Sequence, residues 1–239
     1  MKKGIKALGM NMEAIKGNRM IYEMNKEYTH NGHIKCGDKG YHYFDSIRDA
    51  MVLFNFENHR LFECELNGDK FEHDGIIHCT NKIKLIREIT KEEINKYIED
   101  NLDKLVNDKD IDVRREVAKH GYGLDKLIND EHWYVRKEVA RYGYGLDILV
   151  NDEDWFVREE VAKQGYGLDK LVNDKDWRVR LETARQGYGL DKLVNDKVWI
   201  VRCEVAKQGY GLDKLINDED GDVRKEVLKQ LKLRKNKEN

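Results

Sequence analysis

The sequence contains no proline, and none of its apolar runs approaches the roughly 20 residues that a membrane-spanning helix needs. Its opening residues, Met1-Lys-Lys-Gly, do not begin the apolar stretch of a secretory signal peptide. The four cysteines, Cys36, Cys64, Cys79 and Cys203, show neither a disulfide framework nor zinc-finger spacing. These absences argue against a membrane protein and a disulfide-stapled secreted domain, so we expect a cytoplasmic protein.

The sequence also lacks a large excess of positively or negatively charged residues. Forty-four Lys and Arg residues stand against 46 Asp and Glu residues, a net charge of −2. This balance argues against a broad electrostatic grip on nucleic acid or on anionic lipid. The missing proline and the heavy use of Lys, Asn and Ile suggest an AT-rich genome, such as that of a low-GC bacterium or its phage.

The C-terminal part of the chain repeats itself every 22 residues. Repeats of this length predict short helical hairpins that bury their apolar faces only by stacking on one another. The sequence therefore predicts an all-α solenoid over residues 96–239. Its six repeats are a degenerate first copy at 99–120, followed by 121–142, 143–164, 165–186, 187–208 and 209–230.

Within each repeat the pattern predicts a short helix, a turn and a longer helix. In the second repeat, Leu124 and Leu127 lie on one face of the short helix. Asp130 then interrupts the pattern and is expected to cap the N-terminus of the longer helix. Val135 and Val139 share one face of that helix and are expected to point into the core.

The repeated run Leu-x-x-Leu-x-x-Asp-x-x-x-x-Val-Arg-x-x-Val-Ala resembles the HEAT-like repeats and the leucine-rich repeat variant. The Gly-Tyr-Gly corner stands where the variant repeats have Asn-Pro. The resemblance implies stacked repeats in which an Asp and an Arg six residues apart form a ladder. The matching pairs are Asp108/Arg114, Asp130/Arg136, Asp152/Arg158, Asp174/Arg180, Asp196/Arg202 and Asp218/Arg224.

Residues 1–95 have the pattern of a small α+β domain. Alternating or continuous apolar residues predict strands at Arg60–Leu66, Ile76–Thr80 and Lys82–Ile89. A helix is predicted at Ser46–Leu53, and Thr90 with Glu93 forms a capping box at the start of another helix. No Gly-, Ser- or Pro-rich linker separates this domain from the repeats.

The same region resembles an uncharacterised small domain of phage and bacterial proteins. The resemblance rests on Tyr22-Glu-x-Asn-Lys-Glu-Tyr28, on Ile34-Lys-Cys-Gly-Asp-Lys-Gly-Tyr-His-Tyr43 and on the strand after Lys82. That domain typically reads Gly-Phe-His-x-Cys where this chain has Gly40-Tyr-His-Tyr-Phe44, so the second cysteine is missing. The resemblance implies no activity and hints at a phage or mobile-element origin.

Several columns keep their residue type from repeat to repeat, which is typical of structural positions. We expect the tryptophans to form a buried spine, the corner tyrosines to pack, and the glutamates to support basic residues three positions later on the same helix. The columns are Trp133, Trp155, Trp177, Trp199; Tyr122, Tyr144, Tyr166, Tyr188, Tyr210; Glu116, Glu138, Glu160, Glu182, Glu204, Glu226; and Lys119, Arg141, Lys163, Arg185, Lys207, Lys229.

Two columns change identity while their surroundings repeat, and helical geometry places both opposite the valine stripe. They carry apolar residues where solvent favours charge, which is typical of an interface. The sequence therefore predicts a partner-binding surface. Its residues are Tyr134, Phe156, Arg178 and Ile200 in one column, and Lys137, Glu159, Leu181 and Cys203 in the other; Asp112, Asp222, Arg115 and Lys225 continue the columns.

Chemical sites are weakly indicated. His33 with Cys36, and His78 with Cys79, offer metal ligands, but the spacing fits no zinc template, so no metal or cofactor is expected. His42 with Glu63 or Glu65 is a conceivable acid–base pair without a supporting motif.

The sequence thus predicts a non-enzymatic protein that binds another protein through its solenoid. A phage origin would make that partner a host protein, such as a defence protein in the host cytoplasm. Two alternatives remain open: nucleic-acid binding along the basic row, and a hydrolase or transferase head that uses the solenoid to recruit its substrate. The oligomeric state is left open.

Overall fold

The computed structural model describes residues 2–14, 20–32, 34, 40–54, 58–72 and 75–238. The chain packs as two compact units, Met1–Gly123 and Leu124–Asn239. The boundary at residues 95/96 marks a change of sequence pattern, and as a domain boundary it stays a prediction. No helix in the described ranges is long and apolar enough to cross a membrane.

The first unit contains two antiparallel sheets. One has the strand order β1-β4-β7-β2 and the other the order β3-β6-β5. Paired backbone hydrogen bonds between Ile5 and Phe44, both 2.7 Å, connect the sheets. The elements are β1 (Lys2–Gly9), β2 (Glu27–Thr29), β3 (Tyr41–Tyr43), α1 (Ile47–Met51), β4 (His59–Leu66), β5 (Lys70–Glu72), β6 (His78–Thr80) and β7 (Lys82–Glu88).

The predicted α+β class is confirmed, as are the strands around Arg60–Leu66 and Lys82–Ile89 and the helix after Ser46. Strand β1 was not predicted, because Lys2, Lys3 and Lys6 interrupt the alternation of apolar and polar residues that marks a strand. Nevertheless, Ala7 and Leu8 are buried, and β1 pairs with β4 along its whole length.

Lys6 is an unusual member of this core. Its side chain is buried, and its ammonium donates a 2.7 Å hydrogen bond to the carbonyl oxygen of His42. The ammonium also lies 5.2 Å from the ring centroid of Tyr22. Burial lowers the pKa of Lys6 to about 8, because the charged form loses its hydration.

Three helices complete the first unit: α2 (Lys91–Asp100), α3 (Leu102–Leu105) and α4 (Ile111–Lys119). The predicted capping box of Thr90 and Glu93 is present at the start of α2. Arg48 of α1 donates two hydrogen bonds, of 2.9 and 2.6 Å, to the two carboxylate oxygens of Asp108. This pair joins the sheet-containing part of the unit to its first helical repeat.

The second unit is an α-solenoid in which short and long helices alternate every 22 residues, as predicted. The short helices are α5 (Leu124–Leu127), α7 (Leu146–Leu149), α9 (Leu168–Leu171), α11 (Leu190–Leu193) and α13 (Leu212–Leu215). The long helices are α6 (Trp133–Tyr142), α8 (Trp155–Lys163), α10 (Trp177–Arg185), α12 (Trp199–Lys207) and α14 (Gly221–Glu238).

Before α8 and α10, two Asp side chains in succession accept the backbone N–H two residues further along the chain. The carboxylate of Asp152 accepts the backbone N–H of Asp154, and the carboxylate of Asp154 accepts the N–H of Phe156, both at 2.9 Å. The N-cap is therefore Asp154, and the matching residue before α6 is His132. The prediction that Asp130 caps α6 is wrong by two residues, since the Asp130 carboxylate accepts the N–H of His132, which is the N-cap.

The Gly-Tyr-Gly corner needs its second glycine for two reasons. Gly167 has a φ of +60°, which only glycine adopts without strain. A Cβ atom at this position would also lie 2.5 Å from Val150 of the preceding repeat. The corner therefore brings the backbone of one repeat against a side chain of the preceding repeat.

A ladder of Asp and Arg is present, but its partners differ from the predicted pairs. The Arg binds the carboxylate of the Asp 16 residues later, and it contacts the Asp six residues earlier through that residue's backbone carbonyl. Arg158 donates from Nε and Nη2 to the carboxylate of Asp174 in the next repeat, at 2.6 and 2.8 Å, and from Nη1 to the carbonyl of Asp152 at 2.8 Å. Hydrogen bonding to Asp174 raises the pKa of this guanidinium. The same carboxylate contact recurs in the pairs Arg136–Asp152, Arg180–Asp196 and Arg202–Asp218.

Candidate binding surface of the repeats

Side chains at positions i, i+3 and i+7 of the long helices share one face, opposite the fully buried valines. We call this face the outward stripe. Its first row is Tyr134, Phe156, Arg178 and Ile200, its second row is Lys137, Glu159, Leu181 and Cys203, and its third row is Arg141, Lys163, Arg185 and Lys207. The first two rows are the predicted partner-binding residues.

The first row is half-buried along its whole length, and so are Lys137, Glu159 and Cys203 of the second row. Leu181 is only 8% exposed and belongs to the hydrophobic core of the later repeats. The expectation that Leu181 is exposed is therefore wrong. Ile200 and Cys203 are partly buried and pack against the same core.

Aromatic rings and one guanidinium form a continuous stack across three repeats. The ring centroids of Trp133 and Phe156 are 4.5 Å apart with an interplanar angle of 14°, and those of Phe156 and Trp155 are 3.6 Å apart. Arg178 lies 4.5 Å from the Trp155 ring and 4.7 Å from the Trp177 ring. We call these five residues the stacked row; it combines planar apolar area with a cation.

The tryptophans do not form the buried spine that the sequence suggested. Trp133, Trp155 and Trp177 are half-buried, and Trp199 is 40% exposed. Four of the long helices, α6, α8, α10 and α12, begin at a tryptophan, so each of these rings lies at the end of its helix. The tryptophans instead lie beside the first row of the outward stripe.

The corner tyrosines also differ from expectation in the second unit, where they are 42–43% exposed. Tyr122, in the first unit, donates a 2.8 Å hydrogen bond to Glu99. The corner tyrosines of the second unit are Tyr144, Tyr166, Tyr188 and Tyr210.

The third row of the stripe is basic, but its charges are matched. Glu138, Glu160, Glu182 and Glu204, the acidic partners, are all buried. Arg141 contacts the carboxylates of both Glu138 and Glu160, at 3.1 and 3.4 Å. Lys163 lies 3.7 Å from Glu160 and 3.2 Å from Glu159. Glutamates predicted to give ordinary support within one helix therefore also connect neighbouring repeats.

The remaining members of the second row have local partners. The Lys137 ammonium lies 5.5 Å from the ring centroid of Phe156 and 3.9 Å from the Glu160 carboxylate. Burial raises the pKa of the Cys203 thiol, which keeps it protonated and weakly nucleophilic.

The metal and catalytic hypotheses concern the first unit. His33, Cys36 and His73 lie outside the described residues. Elsewhere, no group of three or more His, Cys, Asp or Glu side chains converges as a metal site would within the part of the chain that the structure describes. Burial raises the pKa of Cys64 to about 12, so this thiol is a small core side chain.

The catalytic pairing of His42 with Glu63 or Glu65 gains no support from the geometry. His42 lies on β3, opposite Cys79, whereas Glu63 and Glu65 lie on β4 in the other sheet. The Glu63 carboxylate is bound by Arg87 at 2.6 Å.

No curated protein matches the chain. Residues 2–97, which include both sheets and most of α2, match a family described as a domain of unknown function (DUF7666). The resemblance of the N-terminal region to an uncharacterised small domain is thereby confirmed.

Proposed function

We propose that this protein is a non-enzymatic binding protein and that the outward stripe of its repeats contacts a protein partner. The stacked row carries the proposal. Its five residues form a rigid, partly exposed platform of tryptophan, phenylalanine and arginine, which are the residue types enriched at the energetic centres of protein interfaces. Half-buried aromatic rings lose little conformational freedom when a partner covers them.

The charge pattern supports a protein over a nucleic acid. The cations of the third row lie beside buried glutamates, so phosphates would have to compete with ion pairs that already exist. Nucleic-acid binding normally draws on cations whose counterions are free to leave. Aromatic rings can stack on bases, so the experiment must include nucleic acid as an outcome.

The changing identity of the first two rows also supports the proposal. A surface that reads Tyr, Phe, Arg and Ile along four otherwise similar helices presents a different group at each step. Such a surface recognises one extended partner better than it recognises a repetitive polymer. Whether the partner is a host protein of a phage stays a prediction, as does the alternative of an enzymatic head.

The test is co-purification from the native host, with and without nuclease, followed by mass spectrometry. The double variant Tyr134→Ser/Phe156→Ser should weaken capture by about 2 kcal/mol or more, because it removes two aromatic side chains from the surface. The matched control is Tyr144→Ser/Tyr166→Ser, which removes two exposed corner tyrosines of the second unit. Circular dichroism must show that both variants fold.

Phe156 contacts Trp133 and Trp155, so we expect a modest loss of stability in the first variant, of about 1 kcal/mol. Capture that disappears after nuclease treatment would assign the surface to nucleic acid. Equal capture by both folded variants would contradict the proposed surface.

A further inference from the structure

A compact cluster of polar side chains lies in the first unit, away from the repeats. Tyr43 on β3 and His78 on β6 are directly opposite in the antiparallel pair, and their rings stack with centroids 5.4 Å apart. Lys70 reaches across from β5, so that its ammonium lies 4.9 Å from the Tyr43 ring centroid. Asp45, two residues after Tyr43, lies at the rim of the cluster.

Strand β1 brings a second lysine to the same place. Gly4 passes so close to Tyr43 that a Cβ atom would lie 2.7 Å from the edge of its ring. Lys2 lies two residues earlier and therefore on the same face of the strand. The ammonium groups of Lys2 and Lys70 interact, and this contact is the main reason that the pKa of Lys2 is lowered.

Among the side chains that the structure describes, the cations of the cluster outnumber its acids. The Asp45 carboxylate lies 3.5 Å from the Lys70 ammonium and 3.4 Å from Nε2 of His78. Lys2 forms no ion pair with any acidic group among the described residues. One half-exposed carboxylate therefore serves two ammonium groups and an imidazole. Two like charges held in contact favour an anion between them.

The Tyr43 hydroxyl is an independent indication. Tyr43 is fully buried, and its oxygen has no hydrogen-bond partner. Burial raises the pKa of Tyr43, and the nearby Asp45 carboxylate adds to this effect, so the phenol keeps its proton and remains a donor. A buried donor without an acceptor costs free energy, which a bound acceptor would recover.

We infer that Lys2, Lys70, His78 and Tyr43 form an anion site that binds the phosphate group of a small molecule. His78 and Tyr43 make its buried floor, and the two lysines make its accessible rim. A tetrahedral oxyanion offers acceptors in several directions, which suits donors that arrive from four different strands. Asp45 stands in for this anion in the ligand-free protein, and its exposed side chain is able to turn away when phosphate enters.

The test is titration of the full-length protein with inorganic phosphate at constant ionic strength. Calorimetry measures affinity, and the ring resonances of His78, assigned with a His78→Gln variant, report the place of binding. We expect saturable binding, and at least about a tenfold loss of affinity in Lys70→Gln. Lys3→Gln is the matched control, because Lys3 is a neighbouring exposed lysine that pairs with Glu63 outside the cluster.

Tyr43→Phe separates a ligand-binding hydroxyl from one that is merely buried. This change removes a single oxygen, so the protein should fold and its melting temperature without phosphate should stay the same or rise. We expect phosphate affinity to fall by about tenfold. Unchanged phosphate affinity in this variant would overturn the site.

The source of the phosphate is resolved by a parallel titration with a nucleoside monophosphate. Tighter binding of the ester than of inorganic phosphate identifies a phosphorylated small molecule as the ligand, and equal binding identifies the free anion. Absence of saturable binding by both would overturn the inference. Equal weakening by Lys70→Gln and Lys3→Gln would do the same, since it would reveal only a general charge effect.

Discussion

The repeats and the sheets of the first unit treat buried charge in opposite ways. In the repeats, the buried Arg158 meets the carboxylate of Asp174 through two hydrogen bonds. In the sheets of the first unit, the buried Lys6 contacts a carbonyl oxygen and an aromatic ring. Repetition explains the contrast. Every 22-residue copy carries both an Arg and an Asp, so the Arg of one copy finds its carboxylate partner in the next copy. A single core has no such source of matched partners.

The difference has energetic consequences of opposite sign. Removing one member of a buried, hydrogen-bonded ion pair leaves the other charge without compensation and destabilises the fold. Removing a buried charge that has no counter-ion relieves a desolvation cost. Removal of the ladder residue Arg158 and removal of the buried charge of Lys6 should therefore move stability in different directions.

The largest effect is expected for Arg158→Ala. The change strips the Asp174 carboxylate of both guanidinium bonds and should reduce the free energy of unfolding of the second unit by about 3–4 kcal/mol. All four tryptophans lie between residues 133 and 199, so tryptophan fluorescence during urea denaturation follows this unit.

The control is Lys163→Ala, on the outward stripe of the same repeat. It should cost no more than about 0.5 kcal/mol, because Lys163 is partly exposed and other cations remain beside Glu160. Similar losses for the two variants would mean that the ladder contributes no more than a surface pair.

An intermediate effect is expected for Arg48→Ala in the first unit. Arg48 binds Asp108 through the same two guanidinium nitrogens that the ladder uses, but both side chains are more exposed than those of the ladder. We expect a loss of about 2 kcal/mol, seen as faster hydrogen exchange in α1 and α4. Unchanged exchange there would show that this copy of the contact is only a surface pair.

The smallest effect, of opposite sign, is expected for Lys6→Met. The folded-state pKa of Lys6 is about 8, below the ordinary value of 10.5, so folding is disfavoured wherever the unfolded chain would protonate this amine. Stability of the first unit should therefore rise between about pH 8 and pH 10, before the tyrosines ionise. Lys6→Met should add about 1–2 kcal/mol near neutral pH, since the lost bond to His42 offsets part of the gain.

The measurement is hydrogen exchange of β1 and β4, corrected for intrinsic exchange rates, at about pH 7 and about pH 9. Wild type should gain protection at the higher pH and the variant should not. A Met variant that is less stable at both pH values would show that the contacts of Lys6 outweigh its desolvation.

The repeat pattern made much of the second unit predictable. The period, the helix alternation and the buried Val157 and Val161 follow from one 22-residue unit, since each contact recurs in every copy. The Asp and Arg of the ladder were recognised, but the Asp that each Arg binds, 16 residues later, was not. The position of Trp155 did not follow, because a helical wheel does not describe a side chain on the first residue of a helix. Leu181 was missed because the wheel ignores the neighbouring repeat.

The first unit was less predictable because its key contacts are not local. The β3–β6 pairing brings Tyr43 next to His78, which is 35 residues away in the sequence. Lys2 lies on β1, a strand that the sequence pattern did not predict. No spacing within a short window announces such a cluster. The ion pair between Arg48 and Asp108 spans 60 residues and was equally invisible.

The ladder also bears on how the gene can change. Each Arg reaches an Asp 16 residues ahead, and all copies share the same 22-residue register. Excision of residues 165–186 would present Asp196 to Arg158 in the place of Asp174. Unequal crossing-over between the repeated DNA segments can therefore lengthen or shorten the protein by whole repeats while every junction keeps its guanidinium–carboxylate bond. A shift of one codon would break the bond at that junction, so a stable product requires that recombination keep the 22-residue register. The order of the side chains on the outward stripe can change at the same time.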